Sequence, residues 1–247
     1  MTRRLALALG TMAVTAMGMA GTAAAQSVSI DLGADGGALT GRVFQLIALL
    51  TLLTVAPSLL LMVTSFTRIA VVFSLLRTAL GTQGSPPNQV LVGLALFLTF
   101  FVMQPVFERS YNEGIQPLIE ERITEREAFT RAAQPFREFM LNHTREQDLL
   151  LFVEMSRQPV ATPAETPLQV LIPAFMLSEL KRAFEIGFLL FIPFLVIDMV
   201  VSSILMAMGM MMLPPVVISL PFKLIFFVLV DGWNMLAGAL VQSYAMP

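Results

Sequence analysis

Residues 43–80 read VFQLIALLTLLTVAPSLLLMVTSFTRIAVVFSLLRTAL, and this run decides the fold class. From Val43 to Thr67 there are 25 residues without a charge. At 1.5 Å per helical residue, about 20 such residues cross a bilayer core. Three further apolar stretches follow: Gln89 to Phe107, Ile186 to Met212 and Pro221 to Val241. The first of these is set off by the breaker Gly81-Thr82-Gln83-Gly84-Ser85-Pro86-Pro87. No alternation of strand type appears anywhere. The expectation is an all-α chain of long, kinked hydrophobic helices in hairpins, with four candidate membrane segments.

Composition agrees. Of 247 residues, 56% are hydrophobic and 13% charged, against roughly 25% charged in soluble domains. A chain this short cannot hide the excess apolar surface in its own core, so that surface must face lipid or other chains. The net charge of −2 gives no basic field for nucleic acid. Cysteine is absent and His143 is the only histidine, which removes disulfides, thiolate nucleophiles and the usual zinc and iron ligand sets. No metal site and no cofactor are expected.

Arg3 and Arg4, the apolar run from Leu5 to Met19 and the small residues Ala23-Ala24-Ala25 have the layout of a cleavable signal peptide over residues 1–25. Cleavage would take the net charge from −2 to −4. Residues 26–41, with Gly33, Gly36, Gly37 and Gly41, read as a flexible lead-in. Residues 42–107 then form a first hydrophobic hairpin. With the N-terminus translocated, the loop holding Arg68 and Arg77 lies on the cytoplasmic side, as the positive-inside rule prefers. Residues 108–172 form a periplasmic helical region, and 173–247 a second hairpin with Lys223 at its inner turn.

The middle region carries helix signals. Thr124 with Glu127 forms a capping-box pattern and Glu127 with Arg131 an i, i+4 pair. Pro135 suits the first position of a following helix, with Phe136, Phe139 and Met140 on one face. Thr144 with Gln147 offers another cap. Pro159, Pro163 and Pro167 make a stiff linker.

Several residues fit simple membrane helices badly. A charge at bilayer depth costs at least ~2.5–3.5 kcal/mol. Arg68, Arg77 and Lys223 either sit at loop ends and snorkel or face other protein. Asp198 and Asp231 are expected to be buried at helix contacts. Pro57, Pro193, Pro214, Pro215 and Pro221 also interrupt the apolar segments, and carbonyls freed within lipid need internal partners. Met206, Met208, Met210, Met211 and Met212 crowd seven residues just before Pro214-Pro215. Methionine is unbranched and polarizable and adapts to irregular shapes. The run is either a pore closure or a Met-rich stretch of membrane helix.

The sequence Pro173-Ala174-Phe175-Met176-Leu177-Ser178-Glu179-Leu180-Lys181-Arg182-Ala183-Phe184-Glu185-Ile186-Gly187-Phe188 closely resembles the first signature of the flagellar biosynthetic protein FliP family. Met210 through Leu224, with Leu213-Pro214-Pro215 and Leu220-Pro221-Phe222-Lys223, resembles the second. Thr64 to Arg77 and Asp231-Gly232-Trp233 add to the likeness, which runs from about residue 40 to the C-terminus. The resemblance implies a core subunit of the flagellar type III export gate, in the bacterial inner membrane at the basal body. It implies a homo-oligomer of about five copies, assembled with Q and R subunits and other export apparatus proteins. Unfolded flagellar export substrates would pass through its channel, membrane lipid would contact it, and the assembled gate would sit largely raised out of the bilayer plane. Injectisomes use a close relative.

The resemblance further implies that Met210, Met211 and Met212, with Met208 next, seal the pore. Glu179, Lys181, Arg182 and Glu185, spaced by three and four, are expected along one helical side, either as a solvated stripe or, from their place inside the signature, as contacts to neighbouring subunits. Lys223 would pair with Glu179 or another acid of a neighbouring chain.

Two rival classes remain. A four-span transporter would use Asp198 and Asp231 as intramembrane carboxylates and should show inverted repeats, of which no convincing pair exists. An intramembrane hydrolase would need a nucleophile with a base, yet His143 lies in the polar middle region and reads as a surface or helix-cap residue. No phosphate-binding loop appears. The chain is not expected to be an enzyme.

Overall fold

The computed structural model describes residues 36–82, 84–156, 162–210 and 213–245. The expected signal peptide lies outside the described residues. The first described helix, α1 (Gly36–Met62), begins inside the stretch expected as lead-in. The chain divides within α1, between Leu53 and Thr54, and the unit from Thr54 onward carries all the remaining helices.

The long apolar run breaks where polar side chains supply alternative partners. The Thr64 hydroxyl donates to Leu61 O (3.1 Å) and accepts from Phe66 N (3.4 Å), closing one helix and opening the next. The second, α2 (Phe66–Leu80), carries both Arg68 and Arg77. The loop expected to hold these arginines is therefore a helix, and it is the most enclosed one. Ile69, Val72, Phe73 and Leu76 are wholly buried. The breaker after Leu80 works as read, with Gly81 closing α2 in the left-handed conformation (φ 74°).

α3 (Asn88–Ser110) continues through one π-helical turn (Tyr111–Ile115) into the short α4 (Gln116–Ile119). In the middle region, α5 (Glu125–His143) starts as expected: Thr124 Oγ1 accepts from Glu127 N, and Arg131 bonds Glu127 at 2.6 Å. Pro135 does not open a new helix but lies within α5. A proline there costs about 3 kcal/mol. Packing of the residues just after it carries the helix through: Phe136 meets Phe107 edge-on, and Phe139 meets Phe175 likewise. Thr144 ends α5 rather than opening its successor, donating its hydroxyl to Met140 O (2.7 Å). α6 (Glu146–Ser156) follows, then a 3-10 turn (Pro163–Glu165).

α7 (Leu168–Ala207) is 40 residues long, about 60 Å at helical rise and roughly twice a bilayer core. It starts five residues before Pro173, which lies inside it. α8 (Pro215–Leu229) and α9 (Gly232–Ala245) meet at a 62° bend, so the fourth expected segment is a broken one. By length and composition, Val43–Met62, Asn88–Ile119 and Leu168–Ala207 could each cross a membrane, with the bent pair a fourth. Among the described residues there is no strand.

α2 sits at the centre of the fold. Its buried face packs on Leu91 and Ala95 of α3, Ala183 and Phe194 of α7, Phe227 of α8, and Leu236 and Leu240 of α9. A second cluster joins Met103 of α3, Phe139 and Met140 of α5, and Leu171 and Phe175 of α7. α2 and α7 approach closely because residue 187 has no side chain. A Cβ on Gly187 would stand 2.3 Å from Leu75 Cδ1.

Candidate functional site

Two of the ion pairs among the described residues each join three helices. In the first, Arg68 of α2 is 1% exposed and Glu179 of α7 fully buried. Arg68 Nε donates to Glu179 Oε2 at 2.9 Å and Nη2 donates to Oε1, a bidentate arrangement that fixes both planes. α9 completes the group. Arg68 Nη1 donates to Ser243 Oγ (2.9 Å), Tyr244 donates its hydroxyl to Glu179 Oε2, and the guanidinium stacks 3.8 Å from the Tyr244 ring centre. Burying such a pair is tolerable only when the remaining donors and acceptors are satisfied, as they are here.

The second pair joins α7 to α8. Lys223 Nζ donates to Asp198 Oδ2 at 2.7 Å and to Ala79 O of α2 at 3.1 Å. Ser219, one turn before Lys223, donates its hydroxyl to Asp198 Oδ1. Lys223 is buried and Asp198 half-buried. Glu179 and Lys223, expected across subunit boundaries, thus each find a partner within the chain. The partners lie 111 and 25 residues away, beyond anything local spacing can indicate.

The other expected site residues separate. Lys181 and Glu185 are exposed, Arg182 is half-buried and Glu179 buried. The four do not share one helical side, because at 3.6 residues per turn Lys181 points about 200° from Glu179. Arg77 is half-buried in the last turn of α2. Asp231, expected to be buried, is exposed at the α8–α9 bend. Its φ of 50° and its bond from Asn234 Nδ2 (3.1 Å) make it the residue that turns the chain. His143 is buried, not a surface residue: Nδ1 lies 2.8 Å from Phe139 O, and the ring packs on Phe139 and Tyr244.

One polar cluster has no counterpart among the expected site residues. Asp148 is buried between Arg145, bonded at 2.8 and 2.7 Å, and the Ser178 hydroxyl at 2.6 Å. Burial pushes its carboxyl up, but those bonds and the charges of Arg145 and Lys181 outweigh it and hold the pKa below the ordinary aspartate value. The i, i+3 spacing of Arg145 and Asp148 was the available signal. On the surface, the Arg109 hydrogen bond likewise holds the Glu138 carboxyl low.

Of the methionine run, Met206 lies in the last turn of α7, and Met208 and Met210 lie just after it. Met208 and Met210 are 57% and 47% exposed; Met211 and Met212 lie outside the described residues. Gly209 N donates to Met206 O and Met210 N to Leu205 O, both at 3.0 Å, with Gly209 at φ 74°. These two bonds are a Schellman motif, which needs a left-handed residue at its turn. Gly209 therefore turns the chain at the end of α7. Among the described residues, no group of three or more His, Asp or Glu side chains comes together as a metal site.

A family model described as the FliP family matches residues 49–240. The flagellar biosynthetic protein FliP of Caulobacter vibrioides is 60% identical over 244 residues, covering 98% of this chain and 91% of that protein. The same-named protein of Bacillus subtilis is 54% identical over 201 residues, covering 81% of this chain and 91% of its own length. That of Rhizobium meliloti is 48% identical over 243 residues, covering 96% and 99%.

Proposed function

The chain belongs to the FliP family of flagellar biosynthetic proteins, and from that premise we propose that it is a channel-forming subunit of the flagellar protein export gate. Several copies, about five, assemble with Q and R subunits in the bacterial inner membrane at the basal body. Unfolded flagellar proteins thread the channel, and Met208, Met210, Met211 and Met212 close it between substrates.

The observation that carries this reading is the apolar surface left uncovered while the charges are satisfied inside. Phe97 of α3, Phe188 of α7 and Val228 of α8 are 78%, 68% and 75% exposed. Contiguous apolar faces of this extent call for lipid or sister subunits. The length of α7 favours sister subunits for part of them, since about half of it exceeds a bilayer core. In the methionine run, flexible thioethers can seal against one another and still yield to a passing chain.

The transporter reading has less support. Asp198 is already held by Lys223 and Ser219, and Asp231 turns a bend. The subunit performs no catalysis on this reading, and its chemistry is that of packing and sealing. The test is the native mass of the detergent-extracted protein, alone and co-expressed with the Q and R subunits. A discrete multi-subunit species that gains mass with the partners is expected. A monomer that ignores them would overturn the proposal.

A further inference from the structure

We infer that the groove between the end of α1, α5 and the start of α7 binds one anionic phospholipid, with an acyl chain in its apolar part and the phosphate against Arg137. The site is separate from the methionine run and stands whether or not that run seals a channel.

Two adjoining stripes of α5 build the groove. Phe129, Ala133, Phe136 and Met140 recur at i, i+4, i+7 and i+11, and Thr130, Gln134 and Arg137 repeat the same spacing one residue on. The apolar stripe faces a cavity of about 420 Å³, closed by Leu59, Leu60 and Val63 at the end of α1 and by Ile172 of α7. Ser110 is the one polar side chain lining it, and its hydroxyl is spent on Ala132 O at 2.8 Å. Such a surface offers no hydrogen bond and suits hydrocarbon. The polar stripe lines a second cavity of about 270 Å³. Phe129, Ala133 and Leu168 border both, so the two are continuous, and Phe129 stands at the mouth 74% exposed.

Arg137 supplies the charge. Its Nη1 donates to Ala164 O (3.2 Å) and Thr166 O (2.6 Å), which fixes the guanidinium beside the groove. Its sequence neighbour Glu138 is taken by Arg109 at 2.7 Å. Glu165, next to those carbonyls, is exposed and makes no ion pair with Arg137. Among the described residues Nε and Nη2 therefore remain for a phosphate, which a guanidinium grips with two parallel bonds.

Depth selects a lipid as the occupant. α3 has twenty residues without charge from Asn88 to Phe107, about 30 Å of helix, and Ser110 stands one turn beyond them. Val63 follows the last residue of α1, and Leu168 is the first of α7. Three helices of membrane length thus begin or end at the groove, where hydrocarbon gives way to head groups. A single negative head at the end of an apolar chain matches both compartments.

Native mass spectrometry of the detergent-purified protein tests the site, with dioleoyl-phosphatidylglycerol and dioleoyl-phosphatidylcholine as probes. The native protein should retain one phosphatidylglycerol at several-fold lower lipid concentration than the phosphatidylcholine. Arg137→Gln should abolish that preference, and Arg137→Lys should restore part of it. Ala133→Phe, which fills the junction of the two cavities, should lower retention of both lipids several-fold. Should Arg137→Gln fail to fold, Gln134→Glu, at an exposed position beside the phosphate, decides by the same loss of preference. Equal retention of the two lipids by the native protein, or undiminished retention in Ala133→Phe, would overturn the site. A lower native mass of the oligomer in Ala133→Phe, with lipid retention unchanged, would assign the groove to a sister subunit instead.

Discussion

The second half of α1 and the whole of α2 come from one apolar run, yet they end on opposite sides of the protein surface. Val55, Leu59, Leu60 and Met62 of the charge-free stretch are exposed, at 40–55% of their area. Ile69, Val72, Phe73 and Leu76 of the stretch carrying two arginines have no exposure at all. In a water-soluble protein a charge marks the outside of a helix. Here Arg68 marks the inside, because its partners Glu179, Ser243 and Tyr244 converge only there, whereas lipid or a sister helix accepts an uncharged face.

The largest expected effect breaks that contrast at its source. Arg68→Met or Glu179→Leu alone leaves one buried charge unpaired and should cost ~3–5 kcal/mol, seen as loss of folded protein in detergent melting curves. The double variant Arg68→Met/Glu179→Leu should recover most of it. Next, Phe73→Ala in α2 should cost about 3–5 kcal/mol. Leu60→Ala in α1 should leave the melting of the subunit nearly unchanged and act instead on assembly. Gly187→Ala forces a methyl into Leu75 and should cost about 1–3 kcal/mol, with Leu75→Ala relieving it. Gly209→Ala should cost about 1–2 kcal/mol, the penalty of a left-handed alanine.

The smallest effect is one of pH. The Asp148 pKa lies lower in the folded chain than in the unfolded one, where it is about 3.9. The bonds to Ser178 and Arg145 therefore contribute fully above that unfolded value. The contribution is lost as pH falls through the folded value. Melting of the wild type should fall more steeply than that of Asp148→Asn as the pH drops below about 4.

The all-α class, the break after Leu80 and the start of α5 are all legible in the sequence, because each rests on local spacing and capping chemistry. The pairings are not. Arg68 with Glu179 and Asp198 with Lys223 depend on which helices lie side by side, and spacing within one helix carries no such information. Pro135 and Thr144 mislead for separate reasons: packing of Phe136 and Phe139 carries the helix through the proline, and the Thr144 hydroxyl bonds back to Met140 O instead of capping the next helix. The two membrane aspartates look alike in sequence, but one is gripped by a lysine and the other turns the chain. Gly209 carries a legible signal, as the one residue in the methionine run able to end a helix in the left-handed conformation.

The methionine seal is the point on which the proposed function turns, and permeability tests it most directly. Small-solute entry should be compared between cells whose assembled gates carry the native methionines and cells whose gates carry Met208→Ala, Met210→Ala, Met211→Ala and Met212→Ala together. Increased entry with the native mass of the complex unchanged is the expected result. Entry equal to that of the native gate, with the complex intact, would contradict the seal.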